Sequence, residues 1–122
     1  MSFLRIMAIL FGVAFIAAGI MGFFPMFMID GNLLGLFEVN SMHNIIHISS
    51  GIVALLCSFH MQAARWYFII FGIVYGLVAI IGFANSGNLF MMHVNMADNL
   101  LHTGIALISL WLGFIYKDNK IF

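Results

Sequence analysis

Residues 64–83, ARWYFIIFGIVYGLVAIIGF, hold one charged side chain, Arg65, and no other in twenty positions. As an α-helix rising about 1.5 Å per residue, such a run crosses the roughly 30 Å hydrocarbon core of a bilayer. Three more apolar runs of the same kind stand on either side of it, from Phe3 to Phe24, Ser41 to Met61 and Met96 to Tyr116. The whole chain of 122 residues is 65% hydrophobic and 7% charged, with a mean hydropathy of +1.17. A water-soluble domain carries about 25% charged residues to cover its exterior, so this exterior faces lipid. The expected fold is an all-α membrane protein, a four-transmembrane-helix bundle forming one membrane domain over residues 1–122. A net charge of zero gives no electrostatic basis for a nucleic-acid partner.

The breaks between runs are short. Pro25 punctuates the end of the first, Asn85-Ser86-Gly87-Asn88 follows the third, and only Gln62 and Ala63 separate the second from the third. The first run is longer than the apolar core of a secretory signal, lacks a small-x-small cleavage site before Pro25 and has a counterpart later in the chain. It is expected to be retained as a span. The single cysteine, Cys57, lies inside an apolar run, which excludes an intramolecular disulfide and points to a buried, inert thiol.

With four spans, Arg5, Arg65, Lys117 and Lys120 fall on one side of the bilayer. The loops 25–40 and 84–95 carry Asp30 and Glu38 but no Lys or Arg. The positive-inside rule then places both termini in the cytoplasm and these loops outside, as expected for a bacterial inner-membrane protein.

The chain also repeats itself. At an offset of sixty, Arg5 falls on Arg65, Phe11 on Phe71, Gly12 on Gly72, Ile20 on Ile80, Gly22 on Gly82 and Phe23 on Phe83. Beyond the first outer loop the offset becomes fifty-five, and Val39-Asn40-x-x-His43-Asn44-x-x-His47 falls on Val94-Asn95-x-x-Asp98-Asn99-x-x-His102. Apolar coincidences carry no weight in such a chain, but matched Arg, Gly, Asn and His positions do. They predict two tandem two-helix repeats, 3–61 and 64–116, about a pseudo-two-fold axis along the membrane normal, with spans two and four facing each other.

On a 3.6-residue helix, Asn40, His43, Asn44, His47, Gly51 and Ala54 share one stripe, as do Asn95, Asp98, Asn99, His102, Ala106 and Ser109. Polar groups are costly toward lipid and should turn inward. Asn40 and Asn95 read as N-caps, which puts the cluster in the first two turns, near the outer face. The i,i+4 pairs His43/His47 and Asp98/His102 then offer three imidazoles and a carboxylate to one transition metal. Copper comes first, because Met42, Met91, Met92 and Met96 are near in sequence, and zinc second. Asn40, Asn44, Asn95, Asn99, Glu38 and His93 would form a second shell or entrance.

Blander readings exist for each group. Asp98 near a helix N-terminus suits the helix dipole, Asn44 and Asn99 can hydrogen-bond across a helix interface, and Glu38 with His93 is an ordinary loop pair. His60, Trp66, Tyr67, Trp111 and Tyr116 read as interface anchors or packing groups, and Gly72-x-x-x-Gly76 as a close-packing pattern.

The chain resembles an uncharacterised family of small four-helix bacterial membrane proteins defined by a domain of unknown function. The resemblance rests on Arg5, Gly22-Phe23, Leu34-Gly35-Leu36-Phe37, Val39-Asn40, His43-Asn44-x-x-His47, Gly51, Ala64-Arg65, Tyr75, Gly82 and Asp98-Asn99-x-Leu101-His102. It implies the topology and no reaction.

HExxH, CxxC, Walker and GxSxG patterns are absent, so enzyme chemistry has no positive support. Three functions fit the sequence. The first is a metal-binding membrane protein in homeostasis, sensing or delivery, whose partners are the bilayer, the metal ion and either a second copy or an unidentified membrane protein. The second is an electron-transfer protein with haem b between His47 and His102. The third is a structural or partner-binding bundle whose polar cluster sets helix register.

Overall fold

The computed structural model describes residues 1–117; Lys120 lies outside the described residues. Four helices dominate: α1 Phe3–Met21, α2 Ser41–Cys57, α3 Met61–Ala84 and α4 Met96–Leu110, the last continued by a π-helical turn over Trp111–Ile115. Three helical segments, Phe3–Met21, Met61–Ala84 and Met96–Ile115, are long and apolar enough to cross a membrane, while α2 is apolar but has 17 residues. At about 1.5 Å per residue α2 reaches roughly 25 Å.

The turn between α2 and α3 falls at 58–60, earlier than hydropathy alone places it, and Gln62 and Ala63 belong to the first turn of α3. Ser58 closes α2: its backbone N–H donates to Ala54 and Leu55 carbonyls and its hydroxyl donates to the Leu55 carbonyl at 2.6 Å. Phe59 and Met61 are as apolar as the spans themselves, so this boundary carries no hydropathy signal.

The distribution of side chains is that of a lipid-embedded bundle. Leu10, Val13, Leu56, Ile80 and Leu107 are exposed, whereas the buried faces of α2 and α4 are built from His, Asn, Ser, Gly and Ala, with Asp98 at the start of α4. Large apolar groups point out, and small or polar groups point in.

Packing is strongest within each hairpin, α1 along α2 and α3 along α4. Glycines permit the approach. A Cβ on Gly12 would lie 2.6 Å from the Leu55 side chain, and one on Gly72 would lie 2.9 Å from the Leu110 side chain. The two hairpins join through α3, which touches α1 and α2. Leu4, Ala8, Ala54, Ala64, Tyr67, Phe68 and Leu112 form an apolar cluster at the end where the described chain begins and finishes.

At that end, each hairpin's first helix caps its second. The Arg5 guanidinium donates to the Ser58 carbonyl at 2.7 Å, and Arg65 donates to the carbonyls of Leu112, Gly113 and Tyr116 at 3.3, 3.1 and 2.8 Å. A guanidinium there satisfies terminal carbonyls and opposes the negative helix end. The π-helical turn, with Tyr116 N–H donating to the Trp111 carbonyl, presents three of these carbonyls to Arg65.

At the opposite end the first loop folds into a small hairpin, β1 Met28–Ile29 with β2 Asn32–Leu33, paired antiparallel. Its turn is Asp30-Gly31, both at positive φ (53° and 83°), as a two-residue hairpin turn requires. This Asp-Gly pair was a readable turn signal that the loop assignment passed over. Ser86-Gly87 in the second loop has φ values of 52° and 85°.

Candidate metal centre

The first turns of α2 and α4 are set by asparagine caps. Asn40 Oδ1 accepts the His43 backbone N–H at 2.9 Å, and Asn95 Oδ1 accepts that of Asp98 at 2.9 Å. These bonds fix the register of both helix starts and so the face on which each polar stripe emerges.

Three histidines of the two stripes meet. His43, His47 and His102 are 1%, 6% and 1% exposed, and one ring nitrogen from each lies within 4.8 Å of the others. Ring centroids are 4.3 Å apart for His43 and His47, 5.6 Å for His43 and His102, and 6.0 Å for His47 and His102. The Nε2 atoms of His43 and His47 stand 3.0 Å apart. Two nitrogens at about 2.0–2.1 Å from a tetrahedral ion are separated by roughly 3.3 Å, so this pair needs a shift of a few tenths of an ångström and the third imidazole one of up to about 1.5 Å.

The tautomer of His43 follows from its partner. Its Nδ1 lies 3.1 Å from the Glu38 carbonyl oxygen, which only accepts, so Nδ1–H donates and Nε2 keeps its lone pair for the cluster. A backbone carbonyl holding the far nitrogen is the usual support of a metal-ligating imidazole. Neither ring nitrogen of His102 has a hydrogen-bond partner among the described residues, although both are buried. Leaving such a group unpaired costs on the order of 1–3 kcal/mol, a cost that ligation removes for one of the two nitrogens.

Asp98 is buried too but does not belong to this group of three. Its Oδ2 accepts the Asn95 backbone N–H at 3.0 Å, completing a reciprocal capping box with the Asn95 side chain. The i,i+4 spacing puts Asp98 where His43 stands in the other half, yet a carboxylate at the third helical position is short enough to fold back on the cap. Asn44 and Asn99 do not pair with each other: both Oδ1 atoms lack a hydrogen-bond partner among the described residues. Each amide instead lies against a glycine of its own hairpin, Asn44 on Gly22 and Asn99 on Gly82, where a Cβ would overlap it.

The loops tie the two halves above the histidines. Asn95 Nδ2 donates to the Leu36 carbonyl at 2.9 Å, and His93 Nδ1 meets Glu38 Oε1 at 2.8 Å. His93 Nε2 lies 3.1 Å from the Ser86 carbonyl. Both partners of the His93 ring are acceptors, so the ring serves them together only as the doubly protonated imidazolium. Its pKa is accordingly raised, first by the Glu38 hydrogen bond and then by the Glu38 charge.

Several neighbours of the histidines escaped the sequence reading. Phe15 packs 5.6 Å from the His47 ring and Tyr75 5.5 Å from that of His102. Ser50 Oγ and Tyr75 OH are 2.9 Å apart, and Tyr67, read as an interface anchor or a packing group, is buried with its hydroxyl donating to the Ser50 carbonyl at 3.1 Å. The spacing of Tyr67 and Tyr75 on the face that holds Ala64, Phe68 and Gly72 was the available signal. A cavity of about 310 Å³ joins the three histidines to Tyr75, Met91 and Met92. His43 stands beside both His47 and His102, so the cluster is a group of three imidazoles and not a pair.

Neither a curated protein nor a solved structure matches the chain. The family model described as a domain of unknown function, DUF4383, matches residues 5–115, from the first turn of α1 to the π-helical end of α4. The chain belongs to the DUF4383 family.

Proposed function

We propose that this membrane protein binds a transition metal through His43, His47 and His102, copper ahead of zinc, in metal homeostasis, sensing or delivery. The observation that carries the reading is the convergence of three buried imidazoles from two helices within 4.8 Å. Neutral imidazole suits copper and zinc, and the thioethers of Met91 and Met92 on the same cavity favour the softer ion. Three protein ligands leave a fourth position open toward that cavity. In this reading Asp98 remains a helix cap, and Glu38 acts through its backbone carbonyl on His43.

The arrangement in the bilayer follows from the basic residues. Both termini are cytoplasmic, the histidines sit near the outer face, and a bacterial inner membrane is the setting. Descent from a duplicated two-helix unit is supported by paired contacts at equivalent positions: Gly22 on Asn44 with Gly82 on Asn99, and Arg5 on the end of α2 with Arg65 on the end of α4.

Elemental analysis of detergent-purified protein tests the reading. Wild type and His60→Ala should carry close to one copper or zinc per chain, and His47→Ala and His102→Ala should carry none. An ion at a hundredfold excess over its Kd stabilises the folded bundle by about 2.7 kcal/mol, so metal-loaded wild type should melt well above the chelated sample while the variants show no such gap. Equal metal content and equal melting in wild type and the His47→Ala, His102→Ala double variant would make the cluster structural.

A further inference from the structure

Two crevices flank the histidines from opposite sides. One, of about 410 Å³, runs between α1 and α4 and is lined by Phe11, Phe15, Ile105 and His47. The other, of about 310 Å³, runs between α2 and α3 and is lined by Phe71, Tyr75, Ser50 and His102. Phe11 corresponds to Phe71 and Phe15 to Tyr75 at the offset of sixty, and Ser50 to Ile105 and His47 to His102 at the offset of fifty-five. The crevices are therefore counterparts at these four positions, and two of the four pairs differ in polarity: Phe15 against Tyr75, and Ile105 against Ser50.

The two exchanged residues are bonded to each other. Ser50 Oγ and Tyr75 OH lie 2.9 Å apart, both residues nearly buried, in the second crevice. A pair of hydroxyls has two protons and uses one in the bond between them, so one O–H is left to donate into the crevice. The Tyr67 hydroxyl does not compete for it, since it donates to the Ser50 backbone carbonyl.

The remaining walls select the ligand. The exposed lining of the second crevice is apolar, Val74 and Ile81 on α3 with Phe90 and Met91 of the second loop, which suits a lipid-soluble ligand. Phe71, stacked on Tyr67, and Tyr75, stacked on Phe15, put aromatic rings in the wall, and the volume lies within the about 300–1,000 Å³ of small-molecule sites. The spare hydroxyl proton needs an acceptor on that ring, and the opposite wall carries imidazoles that suit a second oxygen. A lipid-soluble ring with two oxygens across it is a quinone.

We propose that the crevice between α2 and α3 binds the headgroup of a membrane quinone, its ring against Phe71 and Tyr75, one carbonyl oxygen accepting from the Tyr75–Ser50 hydroxyl pair and its tail leaving past Val74 into lipid. This goes beyond the metal reading and shares its cavity, but the contact that defines it, the Ser50–Tyr75 hydroxyl pair, includes none of the three imidazoles.

The test titrates detergent-purified protein with decylubiquinone by calorimetry, with metal content measured on the same samples. Wild type should bind one quinone saturably, and Leu10→Phe, which narrows the other crevice, should match it. Tyr75→Phe and Ser50→Ala should bind at least tenfold more weakly with unchanged metal content. If Tyr75→Phe does not fold, Val74→Phe, which narrows the mouth from the lipid side, should give the same loss. Equal binding by wild type and the crevice variants, non-saturating uptake alone, or full displacement of the quinone by dodecane would overturn the proposal. Empty elemental analysis beside intact quinone binding would reject only the metal reading.

Discussion

Single residues in this bundle are defined by how little room they leave. Gly82 faces the Asn99 amide so closely that a Cβ would overlap it, and Gly22 stands in the same relation to Asn44. Gly104, on α4, has nothing within 4 Å of a Cβ position. Gly82→Ala should therefore cost about 1–3 kcal/mol through forced displacement of the amide. Gly104→Ala should be neutral or stabilising by up to about 1 kcal/mol, since alanine is the better helix former. Denaturant titration of the two variants in one detergent checks the contrast, and equal loss in both would show that the Asn99 contact does not limit packing. The asparagines thus gain a role in helix approach that their place on a polar stripe did not specify.

Elements are joined at the loop end by a link that titrates. The Glu38 hydrogen bond raises the pKa of His93 above its ordinary 6.5. A raised folded-state value means that the stabilisation is complete below pH 6.5 and is lost as pH rises through the raised value. Hydrogen exchange in the segment 86–95 should therefore quicken as pH climbs through that window, once corrected for the intrinsic rate. Glu38→Gln should abolish this dependence, and a pH profile identical to wild type would show that the pair does not hold the loops. The Glu38 backbone carbonyl also accepts from His43, so its two ends connect the exposed latch with the buried imidazoles. Loosening of the latch is expected to weaken metal retention at high pH in wild type more than in the Gln variant.

For the whole molecule, the even number of helices and the one-sided basic residues predict a shared side for the termini. Reporter fusions at both ends should be active only as cytoplasmic reporters, and consistent activity of a C-terminal alkaline phosphatase would reverse the orientation. Arg5 and Arg65 serve two ends at once in this topology. Beyond their topological charge, they cap the last carbonyls of α2 and α4, so Arg65→Ala should lower stability as well as weaken orientation. Thermal unfolding in detergent separates these effects, because no translocation takes place there.

The sequence by itself determined the apolar runs and the asparagine caps of α2 and α4. Each is a property of one residue or of neighbours within a turn. Hydropathy placed the turn between α2 and α3 too late because Phe59 and Met61 partition into lipid like any span residue, and only the capping of Ser58 closes α2. The histidine pair on α2 was legible from its i,i+4 spacing, but whether His102 meets it was decided by how α4 lies against the first hairpin. Asp98 shows the limit most clearly. Asn95-x-x-Asp98 was at once a capping box and the echo of a ligand pair; the structure forms the capping box and groups three imidazoles without Asp98, a choice that depends on side-chain placement and not on spacing. The hydroxyl pair of Ser50 and Tyr75, twenty-five residues apart on different helices, exists only through packing, since no local rule of sequence brings side chains on separate helices within 2.9 Å.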